Sequence, residues 1–197
     1  MKIALCFSGL PRGNYRENIE KHHIAFDGDL FLSTWEGVDL DAMKFPEPES
    51  DYLQKHAMRL KNPYKQTIMG RGYKQIVAHA LSVLYLPDEY DLVVRCRYDV
   101  LINQQIKWMD YARQAYESKT VLGIRKQVED EWDYLKEVKP KGLVLDQMII
   151  HRRDQFDPTL ALKLFYERKL EPCEMGWYQT FQSHRIRNYI GGCRIER

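Results

Sequence analysis

The segment 89–103, E-Y-D-L-V-V-R-C-R-Y-D-V-L-I-N, constrains the fold of this chain more than any other stretch. The apolar run 92–94 follows a Pro-Asp pair and is typical of a strand that is buried on both faces. Directly after it the sequence becomes charged at every second position, at Arg95, Arg97 and Asp99. With the period of two of a strand, these three side chains are predicted to project to one side.

Charged side chains at the carboxyl end of a buried strand lose hydration, so they are expected where something there needs them. In open α/β sheets this end of the strands is where ligands bind. A carboxylate flanked by guanidinium groups suits a divalent cation and the phosphates that the cation neutralises. The pattern is also typical of an Arg–Asp ion pair that closes a strand, and charge alone leaves both interpretations open.

The composition predicts one globular domain over residues 1–197. Of the 197 residues, 44% are hydrophobic and 29% are charged, which suffices for a sizeable core. The net charge of +2 does not indicate a nucleic-acid binder, and no window approaches the length of a membrane span. We expect a cytoplasmic protein whose four cysteines, which show no C-x-x-C spacing, are free thiols rather than zinc ligands.

The beginning of the chain predicts a βα unit. An apolar strand over 2–7 is broken by the turn 8–13, and a helix follows over 14–24. Backbone N–H groups in such a turn can face an anion at the helix N-terminus, and Arg12 can add a bidentate contact. An ordinary tight turn with a surface arginine is the alternative interpretation.

A second strand is predicted over 29–35, and the acidic, proline-containing segment 36–51 is predicted to be an exposed loop. The longest helix candidate is 64–86, which has two glycines at its start. Because glycine permits close approach of another group, Arg71 and Gln75 are candidates to touch a ligand. A frayed helix start with solvated charges explains the same residues.

The second half of the chain predicts alternating helices and strands, with an acid, Asp146, embedded in an apolar run. Such an acid is paired, caps the next helix or is functional. The Asp-Pro pair at 157–158 predicts an N-cap followed by proline at the first helical position. The predicted elements are a helix over 107–117, a strand over 120–124, a loop or marginal helix over 126–141, the apolar run 142–150, helices over 157–169 and 172–183, a strand over 186–190 and a frayed end from 191.

Three stretches, in this order and spacing, resemble small glycosyltransferases of the GT-A type, such as those of surface-polysaccharide clusters and of viruses or phages. The stretches are S-G-L-P-R followed by D-L-F-L-S-T-W, then Y-K-Q-I-V-A-H-A-L leading into Y-D-L-V-V-R-C-R-Y-D-V, and finally L-D-Q-M-I-I with a later P-C-E. The resemblance covers most of the chain except its ends and the segments 36–62 and 126–141. It implies a single Rossmann-like α/β domain, with a mixed, mostly parallel sheet flanked by helices, that binds a nucleotide-sugar donor.

The resemblance also implies roles for individual residues. Ser8, Gly9 and Arg12 would line the pocket for the nucleotide or its diphosphate. Asp99 matches the second acid of the family's D-x-D motif, which binds manganese or magnesium, whereas Arg97 stands where the first acid would be.

Because an arginine stands in place of that first acid, the charge of the diphosphate can be neutralised by arginine instead of by a metal ion. Arg95 or Arg97 is placed to neutralise it directly, without a divalent cation. His184 lies where some members of the family have a late metal ligand, although a single histidine is more often structural.

Sugar transfer also needs a carboxylate to deprotonate the acceptor hydroxyl if the anomeric centre inverts. Asp146 and Glu174 are the candidates, and for Asp146 the alternative is an N-cap of the following helix. Two competing functions are a non-catalytic nucleotide-binding domain and a nucleotidyltransferase.

The acceptor is predicted to be a polysaccharide precursor or another glycan in a bacterial cell. A hydroxylated base of phage DNA in an infected host is the alternative, because basic residues that can contact phosphates concentrate in the second half. These residues are Lys139, Lys141, Arg152, Arg153, Arg185, Arg187, Arg194 and Arg197.

Overall fold

A computed structural model describes residues 1–12, 14–34, 57–60, 73–126, 135–138, 142–171, 173–181 and 185–195. The strands in these ranges are β1 (Ile3–Ser8), β2 (Asp29–Ser33), β3 (Ala57–Leu60), β4 (Leu92–Cys96), β5 (Val100–Ile102), β6 (Thr120–Arg125), β7 (Leu135–Val138), β8 (Met148–Arg152), β9 (Arg185–Gly191) and β10 (Cys193–Ile195). The α-helices are α1 (Tyr15–Phe26), α2 (Lys74–Tyr85), α3 (Trp108–Ser118), α4 (Pro158–Tyr166) and α5 (Cys173–Thr180). None of the helices described in these ranges is long and apolar enough to span a bilayer.

Eight of these strands form one sheet in the order β3-β2-β1-β4-β8-β6-β9-β7. Four neighbouring pairs are parallel, and three are antiparallel because β8 and β7 run against their neighbours. The predicted mixed, mostly parallel sheet flanked by helices is therefore confirmed. The remaining strands, β5 and β10, form a separate antiparallel pair.

Helices cover the sheet on both faces, and the alternating side chains of the strands divide into two cores. Leu5 and Phe7 of β1 face α1 and α3, which contribute Ile19, Phe26 and Trp108. The intervening residues of β1 face the second core, where α2, α4 and α5 pack. That core includes Ala4, Cys6, Val93, Ile76, Ala80, Ala161, Trp177 and Phe181. Burial on both faces explains why the central strands are continuous apolar runs.

The parallel strands β1, β2, β4 and β6 end at the same side of the sheet, which we call the carboxyl edge. Their last residues there are Ser8, Ser33, Cys96 and Arg125. Strand β8 runs the other way, so Asp146 and Gln147, which precede it, also lie at the carboxyl edge. The opposite side, where these parallel strands begin, is called the amino edge.

Several predicted elements are confirmed by the structure, among them the first strand, the central strand and the helix that begins at residue 158. Asp157 is the N-cap of α4, because its Oδ1 accepts a hydrogen bond of 2.9 Å from the backbone N–H of Leu160. Pro158 occupies the first turn, where its missing N–H costs nothing. Cys6, Cys96 and Cys193 are free and buried, as expected for structural thiols.

Two elements differ from the prediction. The charged segment 126–141 contains strand β7, which pairs antiparallel with β9; as an edge strand it tolerates charged, half-exposed side chains. The chain end is not frayed over 193–195, because Gly191 and Gly192 adopt positive φ angles of 106° and 65° and turn the chain into β10. The part of the predicted helix that precedes residue 73 lies outside the described residues.

Candidate active site

Arg95 is a buried guanidinium beneath the carboxyl edge. The side chain lies in the second core with its Cζ 5.2 Å from the ring centre of Trp177, and the residue is 0% exposed. Its Nη1 donates to the backbone carbonyl of Asp146, and its Nη2 donates to Oε1 of Gln75. Burial lowers the pKa of Arg95 to about 10, so the group is charged at neutral pH. The structure thus uses Arg95 and Gln75, both predicted nucleotide contacts, to hold α2 against the Asp146 backbone.

Arg97 and Asp99 form a bidentate ion pair just beyond the end of β4. Nε of Arg97 donates to Oδ1 of Asp99 at 2.8 Å, and Nη2 donates to Oδ2 at 2.6 Å. The Asp99 side chain is 7% exposed and the Arg97 side chain is 26% exposed, so the guanidinium covers the carboxylate. The three predicted charges therefore do not act as one group, since Arg95 is enclosed in the core and Arg97 faces outward.

Asp146 is positioned by a segment that is fastened to β9. The side chain of Asn188 accepts from the backbone N–H of Leu145 at 2.8 Å and donates to the carbonyl of Leu143 at 3.0 Å. Gly123 leaves room for this arrangement, because a Cβ there would lie 2.5 Å from Oδ1 of Asn188 and 2.7 Å from the nitrogen of Leu145. These contacts fix the backbone directly before Asp146.

Asp146 does not cap a helix, so that alternative is wrong. It forms an isolated parallel bridge with Ile124, and the next regular element is strand β8. The apolar residues after Asp146 belong to this strand, which pairs with β4 and β6 and buries Met148, Ile149 and Ile150 in the two cores.

The surroundings of Asp146 favour a carboxyl group with raised proton affinity. Burial raises its pKa above the usual value of 3.8, and Glu174 raises it further, whereas Arg95, Arg97 and Arg125 act in the opposite direction. Glu174 itself pairs with Arg125 at 3.4 Å. The structure therefore brings both predicted acids and Arg97 together at the carboxyl edge, beside Arg125, which the sequence analysis did not single out.

Among the residues that the structure describes, three hydroxyl groups at the ends of β1 and β2 have no hydrogen-bond partner. Oγ of Ser8, Oγ of Ser33 and Oγ1 of Thr34 are buried without a hydrogen bond, and such groups call for an explanation. Ser33 and Thr34 were missed, although they show the same change from apolar to polar that marks the end of β4. These hydroxyls line the edge beside Gly9, which has a φ of 116°.

The turn after β1 has only some of its amides available. The N–H of Gly9 donates to the carbonyl of Ser33 at 3.2 Å, so it joins β1 to β2 and cannot face an anion. Arg12 is exposed to solvent near the start of α1. Arg71 and His184 lie outside the described residues.

Three members of the predicted basic cluster lie at the amino edge, at the opposite side of the sheet from Asp146. Arg152 and Arg153 lie at the amino edge and pair with Asp154 and Asp88, both at 2.8–2.9 Å. Arg185 begins β9 at the same edge. Arg187 lies within β9 and Arg194 within β10, whereas Lys139, Lys141 and Arg197 lie outside the described residues.

No family model matches this sequence, and no curated protein matches it. Solved structures do match. The 4-diphosphocytidyl-2C-methyl-D-erythritol synthase of Anaerococcus prevotii superposes with a TM-score of 0.61 at 8% identity, over 96% of this chain and 89% of that one. A nucleoside-diphosphate-sugar pyrophosphorylase of Vibrio cholerae gives 0.57 at 10% identity, over 95% and 91%. The S. aureus TarS fragment 1–349 in complex with UDP-GlcNAc gives 0.54 at 12% identity, over 100% and 60%.

These similarities concern the fold. The chain has the Rossmann-like, GT-A-like arrangement that nucleotidyltransferases and GT-A-like transferases share. It spans nearly the whole of the synthase and the pyrophosphorylase, but only 60% of the TarS fragment.

Proposed function

We propose that this protein is a glycosyltransferase that moves a sugar from a nucleotide-sugar donor to a hydroxyl group of an acceptor glycan. The observation that supports the proposal best is the position of Asp146. A half-buried carboxyl group with a raised pKa lies at the carboxyl edge, held by its own backbone and flanked by guanidinium groups. A base of raised pKa and nearby cations for a leaving phosphate are what sugar transfer to a hydroxyl requires.

In the proposed reaction the oxygen of the acceptor hydroxyl attacks the anomeric carbon of the donor sugar. Asp146 takes the hydroxyl proton as the new C–O bond forms. The bond between the anomeric carbon and the β-phosphate oxygen breaks with its electron pair, and a nucleoside diphosphate leaves. A single displacement of this kind inverts the anomeric centre. Glu174, paired with Arg125, raises the basicity of Asp146 and is the next acid to test.

The nucleotide is proposed to bind at the ends of β1 and β2. The unpartnered hydroxyls of Ser8, Ser33 and Thr34 can bond to a ribose or base there, and Arg12 can swing toward a phosphate. The carboxyl ends of parallel strands at a change in sheet order are general ligand sites in such folds. The bound UDP-GlcNAc in the similar TarS fragment supports a donor of this class.

Nucleotidyl transfer is the second candidate, and the extent of the structural similarity favours it. The synthase and the pyrophosphorylase match over about nine-tenths of their own length. The two reactions release different products, because glycosyl transfer releases a nucleoside diphosphate and nucleotidyl transfer to a sugar phosphate releases pyrophosphate.

The first experiment is a panel of nucleotide-sugars scored by thermal shift with and without manganese, since a bound donor raises apparent stability. Donors that bind are then incubated with glycan acceptors and, separately, with hydroxylated duplex DNA at low salt. In parallel, nucleoside triphosphates are incubated with sugar 1-phosphates. We expect release of nucleoside diphosphate with a glycan acceptor. Release of pyrophosphate in the parallel reaction would establish nucleotidyl transfer instead. Release of nucleoside diphosphate only with DNA would make DNA, rather than a glycan, the acceptor.

A further inference from the structure

We infer that Arg97, clamped by Asp99, meets the charge of the leaving diphosphate in the place where a GT-A-type site would hold a divalent cation. This inference rests on the proposed function. Asp99 is then a positioning residue for Arg97 rather than a metal ligand, and the catalytic contact belongs to the guanidinium.

The geometry of the pair carries the inference. Both carboxylate oxygens of Asp99 already accept from Arg97, at 2.8 and 2.6 Å. Asp99 is also the more enclosed partner, with 7% of its side chain exposed against 26% for Arg97. A ligand that approaches from the carboxyl edge therefore meets the guanidinium before it meets the carboxylate.

The possible metal ligands around Asp99 do not suit a hard cation such as magnesium or manganese. Magnesium and manganese favour several carboxylate or carbonyl oxygens. In the ranges that the structure describes, no group of three or more His, Cys, Asp or Glu side chains could hold a metal ion. The one acid that matches the family motif is neutralised by its neighbour, so these residues do not fit the cation. The experiment below distinguishes this inference from binding of a cation by Asp99, which the sequence resemblance implied.

Arg97 keeps donors for a phosphate. Its Nε and Nη2 bind Asp99, which leaves the hydrogens of Nη1 without a partner among the described residues. A guanidinium presents its N–H groups in a planar fork that matches phosphate oxygens. When the bond to the sugar breaks, negative charge develops on the β-phosphate oxygen, and these N–H groups stabilise it without any proton transfer.

The turn that carries Arg97 is held in place on both sides. The backbone N–H of Arg97 donates to the carbonyl of Gln147 at 3.4 Å. The hydroxyl of Tyr98 donates to the carbonyl of Ser33 at 3.1 Å, and Nδ2 of Asn18 donates to the carbonyl of Tyr98 at 3.0 Å. A donor fixed before the substrate arrives needs little reorganisation during the reaction.

Arg95 cannot take this role in the observed arrangement. Both of its terminal nitrogens are used inside the protein, by Asp146 and Gln75, and the residue is fully buried. Of the two arginines that the sequence offered for the diphosphate, the structure therefore favours Arg97.

The test measures binding of inorganic pyrophosphate by calorimetry, because this probe carries the diphosphate without requiring a particular base. Wild-type protein is titrated in chelator and, separately, with preformed manganese–pyrophosphate. We expect binding in chelator, with Arg97→Ala weakening it by about 10- to 100-fold, as for a lost charge-assisted contact. Arg113→Ala is the matched control, since Arg113 forms an exposed pair with Asp110 at 3.3 Å on α3.

Asp99→Asn, alone and combined with Arg97→Ala, separates positioning from metal binding. If Asp99 acts through Arg97, Asp99→Asn weakens pyrophosphate binding in the wild-type background and has no further effect when Arg97 is alanine. The double variant also removes both charges together, so it avoids leaving a buried carboxylate unpaired. Circular dichroism confirms that each variant is folded.

Pyrophosphate binding that disappears in chelator, returns with manganese and is lost in Asp99→Asn would overturn the inference. Absence of binding under both conditions would do the same. Neither result depends on sugar transfer, so the inference and the proposed function can fail separately.

Discussion

The two edges of the main sheet carry similar kinds of side chain, but these side chains differ in burial and in hydrogen bonding. At the amino edge, Lys2 pairs with Glu89, the hydroxyl of Tyr90 donates to Asp29 at 2.6 Å, and Arg153 pairs with Asp88. Most of these groups reach solvent, and each has a partner. At the carboxyl edge, Arg95 is 0% and Asp99 is 5% exposed, and three nearby hydroxyls have no hydrogen-bond partner in the part of the chain that the structure describes.

This difference supports a site at the carboxyl edge. A buried polar group without a partner costs stability, typically about 1–3 kcal/mol, so a chain retains such groups where a ligand can satisfy them. The amino edge holds ion pairs that are partly exposed to solvent, of the kind that contribute little to stability. If the comparison is right, substitutions at the carboxyl edge strongly change either function or, for the enclosed Arg95, stability, whereas substitutions at the amino edge change neither strongly.

The largest expected effect is on turnover in Asp146→Asn. The amide cannot accept a proton, so we expect sugar transfer to fall by roughly 10²- to 10⁴-fold with little change in melting temperature. Because the pKa of Asp146 is raised, wild-type turnover should rise with pH through a value above 3.8. Asp154→Asn, in the exposed pair at the amino edge, is the control and should keep full activity. Near wild-type turnover in Asp146→Asn would remove this residue from the mechanism and direct attention to Glu174.

The next effect is on stability in Arg95→Met. The thioether fills similar space, but it leaves Oε1 of Gln75 and the carbonyl of Asp146 without their donor. We expect a loss of about 2–4 kcal/mol in the free energy of unfolding measured by denaturant titration. Arg153→Met at the amino edge should cost about 1 kcal/mol, since its partners there can turn to water. Equal losses of unfolding free energy in Arg95→Met and Arg153→Met would show that the arginines at the two edges contribute equally to stability.

The stability of the protein should depend on pH through the buried His22 on α1. Burial lowers the pKa of His22 to about 4 from 6.5, so between these values the unfolded chain binds more protons than the folded one. Stability contributed by His22 is therefore present above pH 6.5 and is lost as the pH falls toward 4.

Wild-type protein should lose about 2 kcal/mol more than His22→Gln between pH 7 and pH 5, measured by denaturant titration at each pH. Parallel losses in the two proteins would show that His22 is not the group responsible. Glutamine is chosen because its side-chain amide can donate to the carbonyl of Asn18, as Nδ1 of His22 does at 2.6 Å.

The smallest expected effect is that of Ser33→Ala. Its hydroxyl has no partner, so its removal should leave stability unchanged or slightly raised. Donor affinity measured by calorimetry should fall by about 2- to 10-fold if the hydroxyl binds the nucleotide. Ser82→Ala is a suitable comparison, because the hydroxyl of Ser82 already donates to the carbonyl of Ala78 at 2.9 Å. Unchanged donor affinity in Ser33→Ala would place the nucleotide elsewhere.

Short-range sequence patterns were sufficient to predict much of the fold. The apolar run before Arg95 predicted β4, and the Asp157–Pro158 pair predicted the start of α4, because both signals depend on neighbouring residues only. Strand β7 was missed because its stability comes from pairing with β9, about 50 residues away in the sequence, as the register shows.

The site was predictable in its residue types but not in its contacts. The sequence placed Arg95, Arg97 and Asp99 at a strand end, yet it could not show that one arginine is enclosed and the other is exposed. That distinction arises from Gln75 on the preceding helix α2 and from Trp177, whose helix lies far from β4 in the sequence. Asp146 shows the same limitation, since its environment depends on Asn188 and Glu174.

The pairing of β10 with β5 determines when the site is finished during synthesis. Residues 100–102 directly follow the Arg97–Asp99 pair, and their partners are residues 193–195. A growing chain therefore has β1, β2 and β4 available early, but the turn that carries Arg97 gains its support from β10 only about 90 residues later, as this register requires. Contacts so distant in sequence form slowly. In a ribosome-bound intermediate that lacks β10, the turn that carries Arg97 should therefore lack the support of this strand.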